Sequence, residues 1–374
     1  MSNPEAVAKA ARSVNVLLVT ADAENQPWDT YLSFIAVGGT LVLVGLPNDK
    51  IKFSPFSLIP GAISVVGSLI GGIKETEDML ELAAKRNVRP VIQKLPMSKA
   101  NEGIQMVDQG KTVQKVPLEP PITRASAMAE PRTIKAYAAF KPGLEVEPFE
   151  YVSRPLGAED VEIATTHCGI CGTDLHTIEN GWGNADYPVV PGHEIIGHVA
   201  ATGPGVTHLK VGDRVGVGAM VFACLNKKTC KECASDRDPY CPKFMFTYNA
   251  KYEDGEKAYG GYAEHVRVLS HYAFKIPEEL PSDATAPLLY AGVTFYSPLK
   301  QYAKAGDRVG IVGIGGLGHL GIQFARAMDA TAVAFSHSPN KEAQARETSI
   351  SFVGSLIGGI KDTQDMLELT AKRN

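Results

Sequence analysis

The chain of 374 residues has no uninterrupted apolar run of 18 residues, no run of basic residues, and no charged-then-apolar pattern at its N-terminus. The first absence excludes a membrane-spanning helix, the second argues against nucleic acids or anionic membranes as partners, and the third leaves no secretory signal. The 37 basic and 41 acidic residues give a net charge of −4. We therefore expect a soluble, cytoplasmic protein that binds small molecules, with no nucleic-acid or membrane partner.

Cysteine is missing from most of the chain, and all six cysteines lie between Cys168 and Cys241. Reduced thiols inside the cell favour metal binding over disulfides. Four of them follow the spacing C-x5-C-x2-C-x7-C in a segment rich in Lys, Asp and Pro: Cys224, Cys230, Cys233 and Cys241. Because four thiolates complete a tetrahedral shell and leave no position for a substrate, we predict a structural zinc site.

A second group of candidate ligands lies upstream, in the segments HCGICGTDLH (167–176) and PGHE (191–194). A thiolate and an imidazole from separate segments are what an open, catalytic zinc requires. A nearby hydroxyl and a second histidine could pass a proton outward. Cys168 itself is more typical of strand packing than of a metal ligand.

The segment 305–328 has the order of a dinucleotide-binding turn. An apolar strand at 308–312 leads into Gly313-Ile314-Gly315-Gly316-Leu317-Gly318 and an amphipathic helix. Such glycines let the backbone approach a pyrophosphate at the helix N-terminus. The next strand ends without an acid and is followed by Ser336, Ser338 and Lys341. Hydroxyls and a lysine suit a 2′-phosphate, so we predict NADP rather than NAD.

These motifs together resemble the zinc-dependent medium-chain alcohol dehydrogenases, and most closely their cinnamyl alcohol dehydrogenase branch. The resemblance rests on GICGTDLH, VPGHE, the four cysteines, VGIGGLGHLGIQFA and VVGSLIGG. It implies an α/β fold, with a Rossmann doubly wound parallel sheet and a GroES-like β-rich catalytic domain.

The resemblance also implies residue roles. Cys171 and His193 would be catalytic zinc ligands, Glu194 an alternate ligand or a support for the ligands, and Asp174 the group that orients His193. Thr173 and His176 would relay the alcohol proton, and Trp182 would line the substrate pocket. The implied cofactor-binding residues include the glycine turn with Leu317, and Ser336, Ser338 and Lys341. The others are Val44, Gly45, Ser68, Ile70 and Thr294, and Leu46 would also border the nicotinamide.

The sequence departs from the family at the third catalytic ligand. The family has a cysteine in a motif like APLLCAG, whereas this chain has Tyr290 in APLLYAG. A phenol is larger than a thiol and, with an ordinary pKa of about 10, is mostly protonated at neutral pH. Zinc could then be held by Cys171, His193 and Glu194, or the catalytic metal could be lost. The cysteine cluster is also wider than the family pattern by three residues, and we still expect one zinc there.

The segments follow a different order from the family, as in a circular permutation. The expected organisation is 1–87 as the second half of the cofactor domain, 88–112 as a return segment, 113–131 as a proline-containing linker, 132–283 as the catalytic domain, and 284–347 as the first half of the cofactor domain. One short strand of the cofactor sheet is missing from this account. Residues 348–374 form a repeat of 62–87.

The repeat is close: Ile63–Asn87 and Ile350–Asn374 are identical at 21 of 25 positions. Each copy predicts a strand, a glycine turn and an amphipathic helix. In the family this strand is the sheet edge through which two cofactor domains pair into a homodimer. We hypothesise that the second copy pairs at that edge or competes with the first for its place. A fusion of tandem genes is the simpler origin.

Two functions follow from these patterns. The first is a zinc-dependent NADP(H) oxidoreductase that interconverts primary alcohols and aldehydes. The second is a catalytically impaired NADP-binding protein that keeps only the structural zinc. The five catalytic-site residues Cys171, Thr173, His176, His193 and Glu194 favour the first, whereas Tyr290 and the repeated tail favour the second.

Overall fold

The computed structural model describes residues 4–20, 25–46, 50–109, 116–119, 131–336 and 351–355. The chain divides into two compact units, the first made of residues 1–69 and 294–374 and the second of residues 70–293. These divisions differ from the boundaries expected after residues 87 and 283. No helix among the described residues is long and apolar enough to cross a membrane.

The described α-helices are α1 Pro4–Ala10, α2 Trp28–Ser33, α3 Ile73–Lys85, α4 Ala100–Asp108, α5 Gly172–Ile178, α6 Lys231–Ala234, α7 Ser282–Thr285, α8 Ala291–Tyr302 and α9 Gly318–Ala327. The described strands are β1 Val14–Val19, β2 Ile35–Leu43, β3 Ser64–Gly67, β4 Leu95–Pro96, β5 Val116–Glu119, β6 Thr133–Ala138, β7 Glu147–Val152, β8 Asp160–Ile170, β9 Ile195–Thr202, β10 Arg214–Val217, β11 Met220–Phe222, β12 Met245–Phe246, β13 Ala250–Lys251, β14 Lys257–Ala258, β15 His265–Leu269, β16 Phe274–Lys275, β17 Arg308–Val312, β18 Thr331–Ser336 and β19 Ser351–Ser355.

The first unit is built on a parallel sheet whose described strands have the order β19-β18-β17-β1-β2-β3. β1 and β17 lie at the centre and are almost wholly buried, as expected for strands covered on both faces. The chain runs outward in one direction from β17 and in the other from β1. Ligands of such sheets bind at the carboxyl ends of the strands where the order reverses, which here is between β17 and β1.

The core of the first unit joins residues from both ends of the sequence. Leu17 and Leu41 pack with Val333 in one buried cluster. The rings of Phe34 and Phe335 stack in the same cluster, with centroids 4.7 Å apart and planes within 8°. The predicted doubly wound sheet is therefore present, although its two halves are separated by the whole second unit in sequence.

The second copy of the repeat lies at the opposite edge of this sheet from the first. β3, from the first copy, pairs with β2, whereas β19, from the second copy, pairs in parallel with β18. The hypothesis that both copies share one edge is wrong. The missing short strand would leave the outer edge of β18 unpaired, and β19, which follows β18 along the chain, pairs there instead.

The second unit contains a mostly antiparallel sheet whose described strands have the order β16-β10-β9-β8-β5-β4, with β15 also pairing with β8. Three two-stranded ribbons accompany it: β6–β7, β11–β12 and β13–β14. Its core is a separate buried cluster that includes Val161, Ile163 and Val199. β5 falls inside the segment predicted to be a linker. Its backbone pairs with β8, a contact between distant segments that the proline content of the linker does not reveal.

Asp238 connects the cysteine-rich loop of the second unit to the start of α3. Its side chain is only 3% exposed, and its Oδ1 accepts a hydrogen bond from the backbone N–H of Ile73 at 3.3 Å. Its Oδ2 accepts one from the hydroxyl of Tyr272 at 3.1 Å. A side chain at Gly72 would place its Cβ 2.3 Å from Oδ1, so glycine permits this approach. These contacts explain why α3 belongs to the second unit rather than to the first.

We predict that Asp238→Ala lowers the free energy of unfolding of the second unit by about 1 to 3 kcal/mol, because it leaves the buried hydroxyl of Tyr272 and the partly buried N–H of Ile73 without their acceptor. Urea denaturation measures the change, and hydrogen exchange at the Ile73 amide reports it locally. Lys227→Ala is the control, since it removes only an exposed ion pair with Asp236 in the same loop. Equal urea midpoints for the Asp238 variant and the wild type would contradict this account.

Candidate metal and nucleotide sites

The end of the β8–β9 ladder brings three candidate metal ligands together. β8 and β9 pair antiparallel, with Cys168 opposite Ile195. Cys171 follows β8, and His193 and Glu194 precede β9, so all three lie just beyond the same end of the ladder. All three are buried, and one ligand atom from each lies within 4.8 Å of the others.

Asp174 fixes the arrangement of these ligands. Its Oδ2 accepts a hydrogen bond from the backbone N–H of Cys171 at 2.8 Å, and its Oδ1 accepts one from the backbone N–H of Gly192 at 3.0 Å. The same Oδ1 lies 3.0 Å from Nδ1 of His193. One buried carboxylate thus joins both ligand-bearing segments and orients the imidazole, as carboxylates do behind metal-bound histidines.

The electrostatics of the pair follow from this contact. Burial acts to lower the pKa of His193, but the Asp174 carboxylate outweighs it and raises the pKa to about 10. Burial acts to raise the pKa of Asp174, but the charge and hydrogen bond of His193 lower it overall. Asp174 therefore remains a carboxylate facing Nδ1, which leaves Nε2 as the imidazole nitrogen that can serve a metal.

The donor set fits zinc. Nε2 of His193 is buried and has no hydrogen-bond partner among the described residues. A thiol, an imidazole and a carboxylate are all zinc ligands, and three protein ligands leave a tetrahedral zinc one open position. The closeness of the carboxylate depends on Gly169, where a Cβ would lie 2.0 Å from Oε2 of Glu194.

Tyr290, which replaces the family cysteine, lies directly beside this group. Its ring meets the His193 ring edge-on, with centroids 4.5 Å apart and planes at 88°. Its hydroxyl oxygen lies 3.1 Å from Oγ1 of Thr173, and either hydroxyl can donate. The sequence indicated that Tyr290 stands at the ligand position, but no sequence signal indicated its contact with Thr173.

The other residues expected near the substrate lie around α5. His176 is on α5, and its ring stacks on Trp182 with centroids 5.3 Å apart. Tyr248, whose ring lies 5.7 Å from that of His193, is a neighbour that sequence analysis missed, because it stands alone among short ribbons. Cys168 is buried in the core of the second unit and lies outside the ligand group.

The four cysteines of the downstream loop form a compact cluster around α6. Sulfur–sulfur distances are 3.6 Å for Cys224–Cys233, 3.9 Å for Cys230–Cys241 and 3.5 Å for Cys224–Cys241. A tetrahedral zinc with Zn–S bonds of about 2.3 Å requires sulfurs about 3.8 Å apart. The backbone N–H of Cys233 helps to lower the pKa of Cys230 to about 7, which favours the thiolate. The cluster fits a structural zinc despite the wider spacing after Cys224.

The glycine turn of the first unit joins β17 to α9 at the reversal point of the sheet. Gly313 has φ of +91°, a conformation that favours glycine. A Cβ at Gly318 would lie 1.9 Å from the carbonyl oxygen of Gly313, so the third glycine permits the close contact between turn and helix. A Cβ at Gly315 would meet no atom within 4 Å, which leaves the intervening backbone open to a phosphate.

The remaining predicted cofactor residues fall into three groups. Val44, Gly45 and Ser68 follow β2 and β3 at the carboxyl edge that also carries Gly313, and Ser336 ends β18. Thr294 is buried in α8, in the first unit, whereas Ile70 belongs to the second. Ser338 and Lys341 lie outside the described residues.

Comparisons with known families match two segments of the chain. Residues 157–278 match the alcohol dehydrogenase GroES-like domain, and residues 3–85 match the zinc-binding dehydrogenase family. The first match contains Cys171, His193, Glu194 and the four-cysteine cluster.

Similar proteins are named for related activities. A probable mannitol dehydrogenase of Mesembryanthemum crystallinum is 45% identical over 217 residues, which are 58% of this chain and 59% of that protein. Probable cinnamyl alcohol dehydrogenase 6 of Oryza sativa subsp. japonica is 44% identical over 221 residues, 58% of this chain and 61% of that protein. The chain therefore spans about six-tenths of the length of these relatives.

Solved structures similar to this chain include cinnamyl alcohol dehydrogenases. A cinnamyl alcohol dehydrogenase from Sorghum bicolor aligns with a TM-score of 0.57 at 42% identity, covering 59% of this chain and 63% of that one. A cinnamyl alcohol dehydrogenase from Helicobacter pylori, complexed with NADP(H), aligns with a TM-score of 0.57 at 34% identity, covering 60% and 64%. With a segment that matches the GroES-like domain and contains both candidate ligand groups, a doubly wound parallel sheet and these relatives, the chain is similar to the zinc-type medium-chain alcohol dehydrogenases.

Proposed function

We propose that the protein is a zinc-dependent NADP(H) oxidoreductase that interconverts primary alcohols and aldehydes. The observation that carries the proposal is the buried group of Cys171, His193 and Glu194, with ligand atoms within 4.8 Å of one another and Asp174 behind the imidazole. A group of this kind holds zinc with one position open to a substrate oxygen. The relatives named as mannitol and cinnamyl alcohol dehydrogenases support the same class of substrate.

The choice of NADP rests on the first unit and on one relative. The glycine turn at the reversal point suits a pyrophosphate, and β18 ends in Ser336 where an acid would favour NAD. The similar enzyme from Helicobacter pylori was solved with NADP(H). Together these observations favour NADP as the cofactor.

The residues of this chain would divide the work as follows. Cys171, His193 and Glu194 would hold zinc, which polarises a carbonyl oxygen, while the nicotinamide supplies hydride. Asp174 keeps the His193 ring in place, so that its Nε2 remains directed at the metal position. Thr173 and His176, both on α5, would pass the proton between the substrate oxygen and solvent.

Assembly and location complete the proposal. We infer a cytoplasmic protein, because free thiols at metal sites are preserved in a reducing compartment. β3 lies at an edge of its sheet, and we infer that two copies pair there into a homodimer. The match of the zinc-binding dehydrogenase family at 3–85, ahead of the GroES-like match at 157–278, supports the proposed permuted order of segments.

Tyr290 favours a second candidate, an impaired NADP-binding protein with only the structural zinc. Its hydroxyl cannot replace a thiolate at neutral pH without losing a proton, so the catalytic shell would have to be completed by Glu194. Metal content therefore separates the two candidates directly.

We predict two zinc ions per chain in the purified protein, one for each ligand group. Cys233→Ser should reduce the content to one, because it breaks the four-sulfur shell. Cys168→Ser is the matched control and should keep two, since Cys168 lies outside both groups. Elemental mass spectrometry after removal of loosely bound metal measures the zinc content of the wild type and of both variants. One zinc in the wild type would favour the impaired candidate.

We predict that the wild type reduces aldehydes with NADPH and that Tyr290→Cys gives no gain in turnover, because Glu194 already completes the three-ligand shell. Turnover is followed by the loss of NADPH absorbance, and zinc content is measured in parallel. A large gain in the variant, with a second zinc appearing only there, would mean that the wild type lacks a catalytic metal.

A further inference from the structure

Tyr290 has a position that suits a role in substrate binding. We propose that Tyr290 is a catalytic residue whose hydroxyl, paired with that of Thr173, binds the carbonyl oxygen of the substrate instead of binding the metal. The inference rests on the proposed function and assigns a substrate contact to a residue that differs from the family pattern.

The first argument is burial. Residues 284–299 are all buried except Tyr290, which is partly exposed. Cys171, His193 and Glu194 are buried beside it. Tyr290 is therefore the partly exposed neighbour of the buried ligand group.

The second argument is that the ligand group does not need the phenol. Cys171, His193 and Glu194 already supply three donors, and a tetrahedral catalytic zinc keeps its fourth position for substrate. The Tyr290 ring packs edge-on against His193, and its hydroxyl is directed to Thr173. The phenol is thus held by contacts with the residues around the metal position.

The third argument is the hydrogen-bonding capacity of two adjacent hydroxyls. Each hydroxyl has one donor and two acceptor positions. The hydroxyl oxygens of Tyr290 and Thr173 lie 3.1 Å apart, and either residue can donate to the other. An oxygen bound beside the pair can accept a hydrogen bond from one of these hydroxyls. A carbonyl oxygen accepts such a bond, and the bond strengthens as negative charge develops on it during hydride transfer.

The test uses the full chain with its zinc and saturating NADPH. The probe is benzamide, whose carbonyl accepts the same hydrogen bonds as an aldehyde without being reduced. We expect Tyr290→Phe to weaken benzamide binding about tenfold, as for the loss of one hydrogen bond to a carbonyl. We also expect it to lower kcat/KM for benzaldehyde by about 100-fold, as for the loss of one oxyanion donor. Zinc content should stay at two per chain.

Thr173→Val is the second variant, since it removes the other hydroxyl while keeping the side-chain shape. If the hydroxyls act as a pair, the effects of the two variants on benzamide binding should not add in the double variant. Tyr302→Phe is the control: it removes a phenol hydroxyl at the far end of α8 and should change neither binding nor turnover.

Three results would overturn the inference. Tyr290→Phe could bind benzamide and turn over benzaldehyde as the wild type does, or it could lose one zinc, which would make Tyr290 a ligand. The wild type could also fail to bind benzamide. Failure of the proposed function is distinguishable: a wild type that binds benzamide through Tyr290 but reduces no aldehyde would refute the activity and leave the carbonyl contact standing.

Discussion

The parallel pairing of β1 with β17 is the interaction on which the first unit depends. It joins Val16 to Val309 and Val19 to Val312, residues separated by most of the chain, and it forms the centre of the sheet. Because the strand order reverses between these two strands, the same pairing creates the crevice where parallel sheets bind nucleotides. The glycine turn after β17 lies at this crevice. In the first unit, the pairing of β1 with β17 therefore both joins distant segments of the sequence and positions the candidate nucleotide site.

In the second unit, the side chain of Asp174 joins separate segments, as the pairing of β1 with β17 does in the first unit. Two backbone amides and the His193 imidazole share its two oxygens, so that Asp174 links the segments 171–176 and 191–194. Such preorganisation matters because a ligand group must be held close to its working geometry for catalysis. A buried carboxylate is costly unless it is hydrogen-bonded, and here each bond that stabilises it also positions a ligand.

Local motifs were enough to propose the sites, whereas long-range pairing escaped prediction. Cys171, His193 and the glycine turn belong to short motifs, so their proposed roles follow from a few neighbouring residues. β5 and β19 depend on which distant strand has a free edge, which no local pattern records. The contact between Thr173 and Tyr290 is also long-range: it joins residues 117 positions apart, and only the folded chain shows that the two hydroxyls lie side by side.

The duplicated segment shows how nearly identical sequences can have different places in one sheet. The strand positions of the two copies differ only at Val65 and Phe352, so backbone pairing alone does not distinguish them. The packing of α3 does distinguish the two copies. Ala83 there is 0% exposed, and Oε2 of Glu75 accepts a hydrogen bond from the N–H of Gly72 at 3.1 Å. The second copy has threonine and aspartate at these positions; the threonine would overfill a packed site and the shorter acid would not reach the amide. The first copy is therefore the better occupant of the α3 place, and the second copy is left with a strand that suits whichever sheet edge is open.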